Sequence, residues 1–262
     1  MPPQTDFALA YLDSLPDLTL LLIHGFPLNS QMWWPQLRGL SGQARMIVPD
    51  LRGHGGSEAV RGPYNMGLLA DDCLSLLDSL GITEPVVVGG LSMGGYVAFE
   101  IVRRYPERVA ALLLTATRAS ADSEQGQAVR DKTIAGIRAQ GVGPLAAGML
   151  PRLLAPTTYE NDRQLVEFVM QMMESTSLTG AIGALEAMRD RLDSTPMLST
   201  IQVPTLIIHG ADDELVPLSE AQAMQAAIPD ARLVVLPNAG HLPNLEQPDA
   251  FNAALGEFLA SL

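Results

Sequence analysis

The chain has 262 residues, of which 47% are apolar, and its 29 acidic residues outnumber its 16 basic ones, for a formal charge of −13. A chain of this length and apolarity can bury a large core within one domain, which excludes an intrinsically disordered protein. Its negative field repels phosphate backbones, so we expect no binding to nucleic acids. The same field disfavours strongly anionic substrates unless residues at the site compensate for it.

Short apolar runs alternate with longer stretches of helical periodicity along most of the chain. The runs predict strands at Ala8–Leu12, Thr19–Ile23, Arg45–Val48, Val86–Val88, Ala110–Leu114, Thr205–Ile208 and Arg232–Leu236. Helices are expected around 66–80, 93–105, 218–227 and 249–261. Strands that alternate with helices form a mostly parallel sheet through right-handed crossovers, so the predicted fold class is α/β.

The segment 118–196 differs from the rest because it contains no strand candidate. Helical periodicity runs instead through Glu124–Gln140, Pro144–Leu154, Tyr159–Glu174 and Leu178–Arg191. We therefore expect a helical cap, or lid, inserted into a core made of residues 1–117 and 197–262. It is not an independent domain, because its apolar faces need the core beneath them. Core packing or a compliant acyl pocket would each explain its methionines, Met149, Met170, Met172, Met173 and Met188.

The segment from Val86 to Gly95 carries the strongest signal for function. A buried strand ends at glycines and a helix begins at once, with Ser92 between them in the order Gly90-x-Ser92-x-Gly94. Glycines let strand and helix approach closely, and the sharp turn exposes the apex serine beside the helix amino terminus. This pattern is typical of a nucleophilic serine, although an ordinary glycine-rich turn shares it.

A serine hydroxyl needs a general base within hydrogen-bond reach and a group that orients this base. Histidine suits the role of base, and His241 lies in a loop just after the strand 232–236. The loop after the strand 110–114 contains no acid. The loop after the strand 205–208 offers Asp212, Asp213 and Glu214. The resulting order along the chain, serine then acid then histidine, is that of the α/β-hydrolase fold.

Six short motifs extend this pattern over nearly the whole chain. They are LIHGFPL at 22–28, Met32-Trp33, PDLRGHGGS at 49–57, GLSMGG at 90–95, VPTLIIHG at 203–210 and GHLPNLEQP at 240–248. In this order they resemble an α/β-hydrolase of the esterase, lactonase and cofactor-free haloperoxidase (perhydrolase) group. Few residues precede the first motif, so we expect a sheet of about seven strands, one fewer than this fold usually has.

The resemblance implies a catalytic triad of Ser92 as nucleophile, Asp213 as acid and His241 as base. In such proteins the functional aspartate lies four residues before a proline, here Pro217. Asp212 is the alternative acid, with a solvated turn as its other interpretation. The hydroxyl would attack an ester carbonyl and form an acyl-enzyme that water then hydrolyses.

The resemblance also implies an oxyanion hole made by the backbone N–H groups of Phe26 and Met93. Pro27 would stiffen the loop that carries Phe26 and fix the direction of its own carbonyl. Related enzymes with proline at this place often turn over peracids, so weak perhydrolase activity is expected. Trp33 matches the packing tryptophan of the family, while Trp34 could reach the site and bind substrate.

The other titratable groups have structural interpretations. His24 and His54 are expected to shape their loops, and the single cysteine, Cys73, to be a small buried residue. No clustered Cys/His spacing or H-E-x-x-H motif indicates a metal, and the mechanism needs no cofactor. No Lys or Arg precedes Arg38, and no early apolar run could span a membrane. We therefore expect a cytoplasmic protein without membrane contact.

The predicted function is that of a short- to medium-chain carboxylesterase acting on a small-molecule ester or lactone through an acyl-enzyme on Ser92. The alternatives are an enol-lactonase, an acyl-homoserine lactonase or a perhydrolase. Carbon–carbon bond hydrolases and hydroxynitrile lyases also keep a serine triad. The least favoured alternative is a non-catalytic ligand receptor on the same fold. Dehalogenases and epoxide hydrolases of this fold use aspartate at the turn, so Ser92 excludes them.

Overall fold

The computed structural model of the chain describes residues 10–13 and 18–262. Its strands are β1 (Tyr11–Asp13), β2 (Thr19–Ile23), β3 (Arg45–Pro49), β4 (Val86–Leu91), β5 (Val109–Thr115), β6 (Thr205–Gly210) and β7 (Ala231–Leu236). They form one sheet in the order β1-β3-β2-β4-β5-β6-β7. β1 pairs antiparallel with β3, and the six strands β2 to β7 are parallel. The mostly parallel sheet is confirmed, and the predicted strand at Ala8–Leu12 lies partly outside the described residues.

The described α-helices are α1 (Trp34–Gly39), α2 (Met66–Ser79), α3 (Met93–Arg104), α4 (Glu124–Gln140), α5 (Gly143–Leu153), α6 (Pro156–Asn161), α7 (Arg163–Glu174), α8 (Leu178–Arg189), α9 (Leu218–Ala227), α10 (Pro243–Glu246) and α11 (Pro248–Leu259). Side chains just before several helices accept the first free N–H groups. The Asn65 amide oxygen accepts the N–H of Leu68 (2.8 Å), and the Ser123 hydroxyl accepts that of Gly126 (3.2 Å). Such caps explain where the helices begin.

The core has two layers, one on each face of the sheet. Because side chains alternate along a strand, Leu21 and Ile23 pack on one face together with α2 and α3. Leu20 and Leu22 pack on the other face, where Trp33 and α11 cover them. Burial of both faces explains why the strands read as continuous apolar runs instead of alternating ones.

Five helices, α4 to α8, lie between β5 and β6 and make up most of the segment 118–196, called the insertion below. One expectation about it is wrong, since the predicted helix Tyr159–Glu174 is two helices, α6 and α7. The break lies at Asp162, whose φ of −114° and ψ of 77° are not helical. The Asp162 carboxylate accepts the N–H of Leu165 (2.9 Å), so it caps α7 and starts a new helix there.

Hydrogen bonds attach the insertion to loops at the carboxyl edge of the sheet. The Thr176 hydroxyl donates to the Pro27 carbonyl (2.8 Å). The Gly53 carbonyl accepts both the N–H (3.0 Å) and the hydroxyl (2.8 Å) of Ser177. These bonds hold the amino-terminal end of α8 against the core.

Cys73 is fully buried in α2, and burial raises the pKa of its thiol, as expected for an unreactive packing residue. Within the described ranges, no helix combines the length and the apolarity needed to cross a membrane.

Candidate active site

Ser92 occupies the sharp turn between β4 and α3 that the sequence predicts. Its φ of 53° and ψ of −111° are unfavourable for a residue with a side chain. Two hydrogen bonds hold the turn: the Ser92 N–H donates to the Thr115 carbonyl (2.9 Å), and the Thr117 hydroxyl donates to the Ser92 carbonyl (2.8 Å). The serine is partly exposed. Backbone strain of this kind is common where a fold presents a functional side chain.

Two glycines allow α3 to rest against the sheet next to this turn. A Cβ on Gly94 would lie 2.2 Å from the Ile23 carbonyl oxygen, and one on Gly90 would lie 2.1 Å from the Gly94 carbonyl oxygen. No side chain fits at either distance, so the pattern Gly90-x-Ser92-x-Gly94 is required by packing.

Asp213 and His241 are joined by a 2.8 Å hydrogen bond from His241 Nδ1 to Asp213 Oδ2. The other carboxylate oxygen accepts the N–H groups of Leu215 (2.8 Å) and Val216 (3.0 Å). Burial acts to raise the pKa of the Asp213 carboxyl, but the charge and hydrogen bond of His241, with these two N–H groups, hold that pKa below its ordinary value. Asp212, the alternative acid, is exposed.

The Ser92 turn and the loops of Asp213 and His241 follow parallel strands, so all three lie at the carboxyl edge of the sheet. Among the described residues, the Ser92 hydroxyl makes no hydrogen bond to His241. Contacts between a nucleophile and its base often shorten only once substrate is bound.

Glu246 fixes the loop that carries His241. One of its carboxylate oxygens accepts the N–H groups of Gly240 (2.8 Å) and Leu242 (3.3 Å), and the other accepts that of Ala155 (2.7 Å). The His241 N–H donates to the carbonyl of the last residue of α5 (2.9 Å). Residues on both sides of the imidazole are thus tied to one carboxylate and to the insertion.

Neither Glu246 nor His209 has a role that the sequence predicts. His209 is the penultimate residue of β6, and its Nε2 donates to the Val216 carbonyl (2.9 Å) while lying 3.7 Å from Asp213 Oδ2. Burial lowers the pKa of His209, so it stays neutral beside the acid. In the sequence, Glu246 is visible only as the glutamate inside GHLPNLEQP, and His209 only as a histidine near the end of a predicted strand. Neither position reveals which residues these side chains contact once the chain folds.

The loop after β2 brings Phe26 next to the Ser92 turn. A Cβ on Gly25 would lie 2.9 Å from the Leu91 side chain and 3.6 Å from the Ser92 Cβ, so the loop lies close against the turn. Phe26 and Met93 are buried. Their backbone N–H groups have no acceptor within the described part of the chain. Both donors are therefore available to an anionic oxygen.

His24 and His54 pack with this loop. His24 Nε2 accepts the Leu51 N–H (2.9 Å), and its Nδ1 donates to the Gly25 carbonyl (2.9 Å). His54 Nδ1 donates to the carbonyl two residues before it (3.0 Å), and its ring meets that of Phe26 edge to face. Burial lowers the pKa of His24, and it lowers that of His54 to about 3, so both rings are neutral. These contacts agree with loop-shaping roles.

The residues that line a cavity of about 500 Å³ include Phe26 and Leu215, which lies in the loop of Asp213. Helices α4 and α5 supply most of its wall, including Met149. Core packing accounts for the other methionines of the insertion, Met170, Met172, Met173 and Met188.

The two tryptophans lie in different surroundings. Trp33 is fully buried and packs against Phe251, with ring centroids 6.0 Å apart. Trp34 is 38% exposed and stacks on Phe168 at 5.9 Å. Trp34 is not one of the described residues that line the cavity beside Phe26.

Comparison with known proteins identifies the family. A family model for the α/β hydrolase fold matches residues 19–248. The solved structure of a thermophilic esterase from Thermogutta terrifontis, with malate bound, is 42% identical with a TM-score of 0.94, covering 97% of this chain and 93% of that one. The 3-oxoadipate enol-lactonase 2 of Acinetobacter baylyi is 31% identical over 236 residues, 90% of this chain and 86% of the relative. A pimeloyl-[acyl-carrier protein] methyl ester esterase of Aromatoleum aromaticum is 32% identical over 247 residues, 89% of this chain and 94% of the relative. The chain therefore belongs to the α/β-hydrolase fold family.

Proposed function

We propose that the protein is a serine hydrolase of carboxylic esters in which Ser92, His241 and Asp213 act as nucleophile, base and acid. The observation that carries this proposal is the 2.8 Å hydrogen bond between His241 Nδ1 and Asp213 Oδ2, at the edge of the sheet where the strained Ser92 turn lies. A carboxylate only accepts hydrogen bonds, so in the neutral imidazole the proton is on Nδ1 and Nε2 carries the lone pair. That lone pair is what a general base needs.

In the proposed reaction, His241 Nε2 takes the proton of Ser92 while the serine oxygen attacks the ester carbonyl. Asp213 stabilises the imidazolium that forms. The backbone N–H groups of Phe26 and Met93 hold the negative oxygen of the tetrahedral intermediate, and each such donor lowers the barrier by about 3–4 kcal/mol. The imidazolium then protonates the departing alcohol. A water molecule, deprotonated by the same imidazole, hydrolyses the acyl-enzyme and releases the acid.

We also propose that the insertion caps this site. Its hydrogen bonds to the loops of Pro27 and His241 support this role, because those loops carry or adjoin the proposed oxyanion hole and base. The cavity beside Phe26, which α4 and α5 line, is then the space for the substrate.

The test is ester hydrolysis by Ser92→Ala, followed as p-nitrophenol release from short-chain p-nitrophenyl esters. We expect kcat to fall by roughly 10³-fold or more, because the nucleophile is removed. The matched control is Ser41→Ala, since Ser41 is exposed and, among the described residues, its hydroxyl bonds only the Arg38 carbonyl of its own turn. Turnover by Ser92→Ala at the wild-type rate would refute the assignment. Cleavage of a cyanohydrin or a vinylogous diketone in preference to every ester would replace it with lyase or carbon–carbon bond hydrolase chemistry.

A second candidate is hydrolysis of a lactone, which is an internal ester and needs the same groups. The relative from Acinetobacter baylyi is named an enol-lactonase, as is a solved structure from Burkholderia xenovorans that is 30% identical with a TM-score of 0.89. A panel of linear esters and lactones of graded acyl length, compared by kcat/KM, separates the two. A peracid assay with acetate and hydrogen peroxide measures the expected weak perhydrolase activity.

A further inference from the structure

The cavity beside Phe26 has an unusual concentration of positive charge. Its charged lining side chains are three arginines and one aspartate, Arg118, Arg130, Arg152 and Asp122. The chain as a whole carries a charge of −13, so this lining opposes the overall field. A positively charged lining in a negatively charged protein raises the local concentration of anions at the cavity.

Asp122 does not neutralise the arginines around it, because three guanidinium groups share this one carboxylate. Arg118 and Arg191 each lie 2.7 Å from Oδ1, and Arg130 Nε bonds Oδ2. Burial would raise the pKa of Asp122, but the hydrogen bonds and charges of Arg130 and Arg191 hold it below its ordinary value. Asp122 is thus fully charged at neutral pH, and the cluster keeps a net positive charge even with Glu220 acting on Arg118.

Two of the arginines also have donors to spare. Arg152 is exposed on α5, and Nη2 donates to the Glu214 backbone carbonyl (3.3 Å). In the described ranges no carboxylate lies within ion-pair distance of Arg152. Arg118 Nε is buried and lacks a hydrogen-bond partner among the same residues. A buried charged donor without a partner is costly unless a ligand or water bonds it.

We propose that this cavity binds a carboxylate of the substrate, with Arg118 and Arg152 as its ligands. The substrate class is an ester or lactone that carries a second, ionised carboxyl group, such as a monoester of a dicarboxylic acid. Guanidinium groups match the planar, bidentate geometry of a carboxylate. Arg130 and Arg191 hold Asp122 in place and maintain the field. The apolar wall next to them, which includes Leu145 and Met149, fits a methylene chain.

This inference rests on the proposed ester hydrolysis, and one pair of substrates tests it separately. The pair is mono-p-nitrophenyl adipate, with a free carboxylate, and its neutral methyl ester. We expect the wild type to prefer the anionic ester by about tenfold or more in kcat/KM, mainly through a lower KM. The preference should shrink in 0.5 M salt, because salt screens the exposed part of the site.

The diagnostic variant is Arg152→Gln, which should lower the ratio of anionic to neutral kcat/KM by about tenfold, whereas Arg152→Lys keeps part of it. The matched control is Arg232→Gln, because Arg232 is exposed on β7 and pairs with Glu257 away from the cavity. It should leave the ratio unchanged.

Three results would overturn the inference. The first is a wild type that hydrolyses the neutral ester as well as the anionic one or better, which leaves the proposed ester hydrolysis intact. The second is an unchanged ratio in both Arg152→Gln and Arg118→Gln. The third is a preference for a phosphonate-terminated ester over the carboxylate. Failure to hydrolyse either ester, or any other ester or lactone, would refute the proposed function itself.

Discussion

Gly53 and Gly180 meet backbone to backbone: a Cβ on Gly180 would lie 2.3 Å from the Gly53 carbonyl oxygen. Gly53 belongs to a core loop and has a φ of 75°, and Gly180 lies in the first turn of α8. The same carbonyl accepts two hydrogen bonds from Ser177. The insertion therefore contacts the core at a distance that only glycine permits.

The first prediction concerns this contact. Gly180→Ala should force α8 away from Gly53 and cost about 1–3 kcal/mol, which lowers Tm by roughly 2–10 °C. Activity should fall with it, because Thr176 lies four residues before Gly180 and donates to the Pro27 carbonyl, next to the proposed oxyanion hole. Thermal unfolding and ester hydrolysis provide the two measurements.

The control is Gly136→Ala in α4, where an added Cβ would have no described atom within 4 Å beyond its own helix and chain neighbours. Alanine favours helix there by about 0.5–1 kcal/mol, so Tm should stay the same or rise. An equal loss of Tm in both variants would contradict the close-contact explanation.

The second prediction separates the two candidate acids. Asp213→Asn should reduce kcat by about 10⁴-fold with little change in Tm, because an amide no longer holds His241 in the tautomer that leaves Nε2 free. Asp212→Asn should keep wild-type kcat, since Asp212 is exposed and not bonded to His241. The reverse result in steady-state kinetics would move the role to Asp212.

The third prediction concerns the support of the base. Glu246→Gln replaces one acceptor oxygen by an N–H₂ group that faces a backbone N–H, so the loop around His241 should shift. We expect kcat to fall by about 10–100-fold with a similar KM, because a small misplacement of a catalytic group lowers the rate by such a factor. Glu257→Gln is the control, because Glu257 is exposed and, in the described part of the chain, forms an ion pair only with Arg232. An unchanged kcat in Glu246→Gln would show that the hydrogen bonds of the Glu246 carboxylate are not needed to position His241.

The fourth prediction is a pH dependence of stability that arises from Asp122. Its pKa is lower in the folded chain than its ordinary value of 3.8, so its contribution is present above that pH and lost as the pH falls through the folded value. Asp122→Asn leaves three arginines without their carboxylate and should cost about 3 kcal/mol at pH 7, or roughly 5–10 °C in Tm.

The difference in Tm between wild type and Asp122→Asn should then shrink from roughly pH 5 to pH 2.5. Thermal unfolding across this range measures it, with the exposed Asp230→Asn as the control. A difference that stays constant down to pH 2.5 would rule out Asp122 as the titrating group.

Much of the fold could be predicted because its signals are local. The apolar runs mark β2 to β7 in the described residues, and the glycine pattern around Ser92 marks a strand that turns into a helix. The break at Asp162 could not be predicted in this way, because helical periodicity continues through it and only the capping geometry reveals the new start. Local sequence signals therefore predict the presence of a helix or strand better than the residues at which it begins and ends.

The site could be predicted only in part, for a related reason. Ser92, Asp213 and His241 each follow a strand, so chain order alone brings them to one edge. The shared carboxylate of Asp122 is different. Its partners Arg118 and Arg130 lie four and eight residues from it, but Arg191 lies 69 residues away, and nothing in the sequence shows that Arg191 joins them.

The attachments of the insertion also bear on which part of it can move. Its α5 end is tied to the loop of His241, and its α8 end to Gly53, so neither can lift without breaking several bonds. Only Ile134 and Ile137 of α4 are buried. α4 buries two residues against seven in α8, so its amides should exchange with deuterium sooner than those of α8.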